Sequence, residues 1–240
     1  MVDLDLLNQA MSLKDGEAAV SELKTYFPSY NAMAGFLASP VYSGSEKVAV
    51  LIFQIPLDKI SNVMTHQQKW AARGFGRSGE TYLVNPDGVL VTESRFFLED
   101  TGGYYQALEK KYPAQTDAIR RAGTSVGLQP VASSAAKQAL SGTTGFDEIN
   151  DYRDVAVFSS FSPLTIGDIT YAILAEIDVE EAMAPAHRLG NSLLTTTVII
   201  LVVVALIAAG VTFWLAQRLV RPLDRLGDAC EELAGGEGDL

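Results

Sequence analysis

Apolar and polar positions alternate along this chain in distinct rhythms, and each rhythm predicts an element. Leu4, Leu7, Met11, Ala18 and Leu23 recur at near-helical intervals, with Gly16 the main breaker, and predict a helix over residues 2–25. The turn formers of FPSYNAM follow. The β-rich runs AGFLASPVY and KVAVLIFQI then flank SGSE, which predicts an antiparallel hairpin from Ala34 to Ile55. Pro56 suits a helix start and Gly74 a helix stop, with Ile60, Val63, Met64 and Trp70 on one face between them. Trp70 is expected to pack at a module boundary.

A second group of elements starts at Glu80. ETYLVNPDGVLVTESRF reads as two strands around Asn85-Pro86-Asp87-Gly88, with proline at the second turn position and glycine where the backbone turns left-handed. Helical pieces are expected at Tyr104–Lys111, Thr116–Ala122 and Ser133–Leu140. Three more strands follow in GTTGFDEIN, DVAVFSSFSPL and TYAILAEID. Asp178 and Glu181 have the spacing of an N-cap and its reciprocal acid, opening a helix that Pro185 is expected to kink or restart. The sum is an α+β unit, a five-stranded antiparallel sheet with helices on one face, preceded by the end of a similar unit.

The pattern then changes. No charged residue occurs from Leu189 to Gln217, and Val198–Ala216 is almost wholly apolar. At 1.5 Å per residue, about 20 such residues cross a hydrocarbon core of roughly 30 Å. A buried core helix is the alternative, though core helices carry a polar face over such a length. Arg218, Arg221 and Arg225 follow closely, whereas His187, Arg188 and the acids Asp178, Glu180 and Glu181 precede. Positive charge stays in the cytoplasm, so the first 188 residues are expected outside. Phe213 and Trp214 suit the cytoplasmic interface.

Composition sharpens this. The mean hydropathy of +0.15 is high for a soluble protein, and the span accounts for it. Of the net charge of −11, residues after the span carry −3 and the rest −8. An acidic ectodomain argues against nucleic acid as a partner and against tight docking on anionic lipid. Cys230, the only cysteine, lies on the expected cytoplasmic side, so the ectodomain needs an ordinary apolar core. MVDLDLLNQAMSLKDGE lacks the basic and apolar regions of a signal peptide. The expectation is a fragment, or a late start, with a first membrane helix upstream.

These stretches resemble a known family. GFGRSGETYLVNPDGVLVTESRF, GTTGFDEINDYRDVAVFSSFSPL and YAILAEIDVEEAMAP are similar to the membrane-proximal module of double Cache sensor domains. YFPSYNAMAGFLASPVYSGSEKVAVLIFQIPLDKI resembles the end of their membrane-distal module. RLVRPLDRLGDACEELAGGEGDL resembles the first helix of a HAMP domain. The resemblance implies a PAS-like fold and a division into 1–73 (distal module and linker helix), 74–188 (proximal module), 189–217 (transmembrane helix) and 218–240 (start of HAMP). It implies extracytoplasmic small-molecule sensing by a homodimer in the inner membrane, as in methyl-accepting chemotaxis receptors. Nucleotide cyclases, histidine kinases and phosphatases carry such sensors too, and a membrane-anchored binding protein without signalling is a further alternative. The front half of the distal module, with the amino-acid-binding motif many such sensors carry, has no counterpart here.

Leu223, Leu226, Cys230 and Leu233 are spaced as the a/d seam of a helix that buries itself against partners, and Pro222 fits its first turn. An amphipathic helix on the membrane surface is the alternative, disfavoured on an anionic leaflet by Asp224, Asp228, Glu231 and Glu232. Pro222, Leu223, Leu226 and Leu233 are therefore the expected signal relay.

Six residues are candidates for ligand contact. Arg95, at a strand end, could hold a carboxylate or pair with Glu93, Glu99 or Asp100. Asp151, Tyr152 and Arg153 could line a pocket at a strand junction, or Asn150-Asp151 could make a turn. Tyr82 alternates with Val84 and is expected inward; Tyr104 lies on the crossover. His66 and His187 lack metal-ligand spacing, and the sequence calls for no metal and no cofactor. It has no phosphate-cradling glycine loop, no Gly-x-Ser-x-Gly elbow and no HExxH, so no enzyme activity is expected in this chain. A small carboxylate or amino acid is the expected ligand, at the level of the family and of Arg95 and Arg153 only.

Overall fold

The computed structural model describes residues 4–29, 32–220 and 230. Its elements are α1 (Leu4–Ser12), β1 (Ala19–Val20), β2 (Lys24–Tyr26), β3 (Ala32–Ser43), β4 (Glu46–Ile55), α2 (Leu57–Met64), β5 (Glu80–Val84), α3 (Arg95–Glu99), α4 (Thr101–Glu109), α5 (Pro113–Ala122), α6 (Ser134–Leu140), β6 (Gly145–Asn150), β7 (Ala156–Ile166), β8 (Ile169–Asp178) and α7 (Val179–Leu215). Residues 1–182 form one compact unit and residues 183–240 another.

The first sheet is built on the β3–β4 hairpin. Antiparallel pairing runs from Gly35 opposite Ile55 to Ser43 opposite Glu46, with a bulge after Val41, and β1 and β2 add to the other edge of β3. The hairpin matches its apolar pattern. The expected helix over 2–25 is shorter, ending at Ser12, because the left-handed turn at Gly16 returns the chain to pair with β3. Leu6 and Ala10 of α1 pack on Ala38, with Val50 and Ile52 alongside. The other face of the hairpin leaves Leu37, Val41, Leu51 and Phe53 exposed.

The expected helix from Pro56 to Gly74 is also interrupted. Beyond Met64, His66, Gln67 and Gln68 all take positive φ, 51°, 54° and 60°. Left-handed backbone costs an L-residue about 1–2 kcal/mol. The His66 ring lies 4.2 Å from Phe75, and its Nε2 is 3.3 Å from the Thr81 hydroxyl, which help to hold the turn.

The second sheet has the order β5-β8-β7-β6, all antiparallel. It has four strands where five are expected. The fifth leg, after the Asn85–Gly88 turn, is reduced to bridges at Val89 and Leu90. Its backbone pairs on two sides: Val91 N donates to Leu83 O at 2.9 Å, while Leu90 N donates to Gln129 O at 2.9 Å. It then stops because Ser94 caps a helix, its Oγ accepting from Phe96 N and Phe97 N at 3.1 and 3.4 Å. Gly88, at φ 74°, takes the left-handed position the turn requires.

Alternation sorts the side chains of this sheet. Tyr82 and Val84 of β5, Ala172 and Leu174 of β8, and Val157 and Phe161 of β7 face Tyr104, Leu108, Ile119 and the alanines of α6. On the other face Leu83, Val91 and Tyr171 meet Leu23 and Met64, with Leu57 and Ile60 of α2 alongside. This second cluster joins the two sheets, and the Tyr171 hydroxyl accepts from Leu23 N at 3.0 Å.

β8 ends at Asp178 and α7 begins at the next residue. The expected reciprocal cap does not form. Asp178 accepts instead from Arg153, and Glu181 accepts from Arg77 N, Ser78 N and Ser78 Oγ at 2.7, 2.7 and 2.6 Å. The loop beside the helix start offers three donors at once, which outweighs one backbone cap. α7 runs on through Pro185 and is the one helix, among the described residues, long and apolar enough to cross a membrane. Pro222, Leu223, Leu226 and Leu233 lie outside the described residues; Cys230 is exposed.

Candidate functional site

β5 places Glu80 and Tyr82 on the helix-facing side of the second sheet, in phase with Val84. Register then sets Glu80 directly opposite Glu176 on β8, and Glu176 opposite Ser159 on β7. The two carboxylates are 2% and 4% exposed. Ionised groups at such depth need partners, and the structure supplies them. Tyr152 donates to Glu80 Oε1 at 2.6 Å and Arg95 N to Glu80 Oε2 at 3.0 Å. Tyr82 donates to Glu176 Oε2 at 2.7 Å and Ser159 to Glu176 Oε1 at 2.9 Å. Ser94 Oγ lies 2.7 Å from the Tyr152 hydroxyl, which ties the α3 cap into the network.

The partners do not fully offset burial. Burial pushes Glu80 from the ordinary 4.5 up to about 7, against the Tyr152 hydrogen bond and the Arg153 charge. Burial pushes Glu176 up to about 8, against the Tyr82 hydrogen bond, with the neighbouring Glu80 charge adding to it. Burial first, then the Glu176 charge, raises the Tyr82 hydroxyl well above its usual value. The pair therefore holds protons around neutral pH.

Of the six candidate ligand residues, Tyr82, Tyr152 and the Arg95 backbone N bond this pair directly, and Tyr104, Asp151 and Arg153 lie near enough for their charges to interact with Glu80. Tyr82, Tyr104 and Tyr152 form a ring cluster, with centroids 5.8 Å apart for Tyr82–Tyr152 and 6.4 Å for Tyr104–Tyr152. They fill the space between sheet and helices, and Tyr104 also donates to Gln129 Oε1 at 3.0 Å. Arg95 opens α3 instead of ending a strand, because Ser94 caps the helix there. Its guanidinium donates to Glu99 at 2.8 Å, Gly79 O at 2.7 Å and Gly76 O at 3.0 Å, and lies on the Trp70 ring. Of the pairings open to it, Glu99 is the one formed, and the guanidinium clamps the loop before β5. Arg153 lies over the Phe96 ring at 3.5 Å and donates to Asp151 and Asp178 at 2.6 and 2.7 Å. Asp151 also caps its own turn, accepting from Arg153 N and Val155 N at 2.8 and 3.1 Å.

Glu80, Glu176, Ser94 and Ser159 are not among the candidate residues read from the sequence. One signal was present: Glu176 falls in TYAILAEID at a position in phase with Ala172 and Leu174. No group of three or more His, Cys, Asp or Glu among the described residues could hold a metal ion.

No family model and no curated protein sequence matches the chain. Solved structures do. The ligand-binding domain of the Pseudomonas fluorescens chemoreceptor CtaA with L-leucine is 14% identical, with 73% of this chain and 59% of that one covered and a TM-score of 0.39. The periplasmic sensory domain of the Campylobacter jejuni chemoreceptor Tlp1 is 14% identical, covering 72% and 54%, with a TM-score of 0.43. The ligand-binding domain of the Pseudomonas aeruginosa amino acid chemoreceptor PctB with L-Arg is 20% identical, covering 74% and 60%, with a TM-score of 0.40. The chain thus spans less than two thirds of the length of each. Likeness at this level leaves function to be argued from the chain's own residues.

Proposed function

We propose that this chain is the receiving part of a transmembrane sensor of small molecules, chemoreceptor-like in plan. Residues 1–188 lie outside the inner membrane, α7 crosses it, and residues 218–240 open a HAMP-type coupling helix in the cytoplasm of a homodimer. One observation carries this reading. The last strand of the α+β unit passes into the apolar helix without a loop, and Glu181 pins the first turn of that helix to the Arg77–Ser78 loop through three hydrogen bonds. A tether for a passive binding protein needs no such anchored helix start. The basic residues after the span support the orientation, and the Leu223, Leu226, Cys230 and Leu233 spacing supports the dimer.

Cys230, alone of its kind, makes the test direct. In intact cells an impermeant maleimide is expected to label an introduced Ser141→Cys at once and Cys230 only after permeabilisation. Equal labelling of both from outside would overturn the arrangement. Oxidation in membranes should also yield a Cys230-linked dimer.

A further inference from the structure

A cleft of about 370 Å3 opens between α2 and the Val91–Glu93 and Thr124–Val126 segments, with neither Glu80 nor Glu176 in its lining. Its size lies at the small end of the range for ligand sites, about 300–1,000 Å3. Leu57, Val91 and Val126 give it apolar walls, and Asp58 and Glu93 give it two carboxylates. Among the described residues, no lysine, arginine or histidine lines it.

The two carboxylates differ. Glu93 is fixed: Ser125 N and Ser125 Oγ donate to its Oε2 at 3.1 and 2.6 Å, and the Thr124 hydroxyl donates to its Oε1. Its own N donates to Ser61 Oγ of α2 at 3.1 Å, which joins the two walls. An ionised carboxylate offers about four acceptor positions, so these donors leave acceptor capacity for a ligand. Asp58, in the first turn of α2, is exposed and has no hydrogen-bond or ion-pair partner among the described residues.

We infer that this cleft binds a small aliphatic amine in its protonated form, the ammonium between Asp58 and Glu93 and the hydrocarbon against Leu57, Val91 and Val126. The lining selects for this chemistry. A zwitterionic amino acid would bring its carboxylate into a cleft with two acids and no cationic side chain, and like charges disfavour that. A protonated amine, with a pKa of about 10 as for lysine, meets only opposite charge. Such a ligand bridges α2 to the Glu93–Val126 wall. The link to signalling rests on the sensor reading above; the binding does not.

The test compares 3-methylbutylamine with L-leucine, which share a side chain and differ by a carboxylate. In thermal unfolding of the full chain in detergent micelles, the amine is expected to raise the Tm with concentration and leucine to leave it unchanged. Asp58→Asn, at an exposed position, should weaken the amine roughly two- to fivefold, and Asp58→Lys should abolish the effect. Stabilisation by leucine equal to that by the amine, or an amine shift unchanged in both variants, would overturn the proposal. Cys230 crosslinking in membranes separates the two readings. Amine binding without any change in crosslinking counts against sensing and leaves the cleft standing. Crosslinking that responds to another small molecule while the amine has no effect removes the cleft and keeps the sensor.

Discussion

Glu80 and Glu176 face each other across β5 and β8 with protonation set by burial, and their linkage to stability has a definite sign. In the unfolded chain both ionise near the ordinary 4.5; in the fold they hold their protons to about 7 and about 8. Between those values the unfolded state releases protons that the folded state keeps, so stability falls as the pH rises from about 4.5 to about 8 and is flat for these groups beyond either limit. The Tm is therefore expected to drop between pH 6 and 9 by on the order of 10 °C. Glu80→Gln with Glu176→Gln should remove that slope, as pH-dependent thermal unfolding would measure. Tyr82 was legible as an inward residue, because it alternates with Val84. The acids were not. An acid in a strand reads as solvent-facing, and only the register between β5 and β8, some ninety residues apart, sets two of them face to face. Arg95 was misplaced for a local reason: Ser94 reads equally well as a strand residue and as a cap.

Among the elements, the start of α7 depends on one side chain. Glu181 is held below the usual carboxylate range, first by the Ser78 hydroxyl and then by the Arg77 and Ser78 amides, against the cost of burial. That stability is present above pH 4.5 and lost as the pH falls through the depressed value. Glu181→Ala should cost about 2 kcal/mol and loosen the first turn, read as faster amide exchange at residues 179–183. Gly76 shares the constraint, because a Cβ there would lie 2.5 Å from Glu181 Oε1. The long hairpin, the crossover helices and the apolar helix were legible because each carries one rhythm over many residues. The helices after Ser12 and Met64 were overextended: a helical period continues in the sequence where Gly16, or three left-handed residues of which His66 packs against Phe75 and Thr81, break the backbone.

At the scale of the molecule, the 1–182 unit joins two sheets through the cluster of Leu23, Met64, Leu83, Val91 and Tyr171. The first sheet buries only one face of its hairpin; Leu51 and Phe53 on the other are 47% and 57% exposed. A Phe53→Lys substitution removes apolar surface without opening a core, so the Tm should move by no more than about 2 °C. Self-association at high concentration should fall, as light scattering would show. The layered α+β plan was legible in the order of its elements. The strand count was not, because the fifth leg shares its backbone between β5 and residues 127–131.

The seam from Asp178 to Val179 has no slack residue in it. Each residue added there would turn everything downstream by about 100° and advance it about 1.5 Å. On the proposed sensor reading, substitutions there should be tolerated far more readily than insertions or deletions.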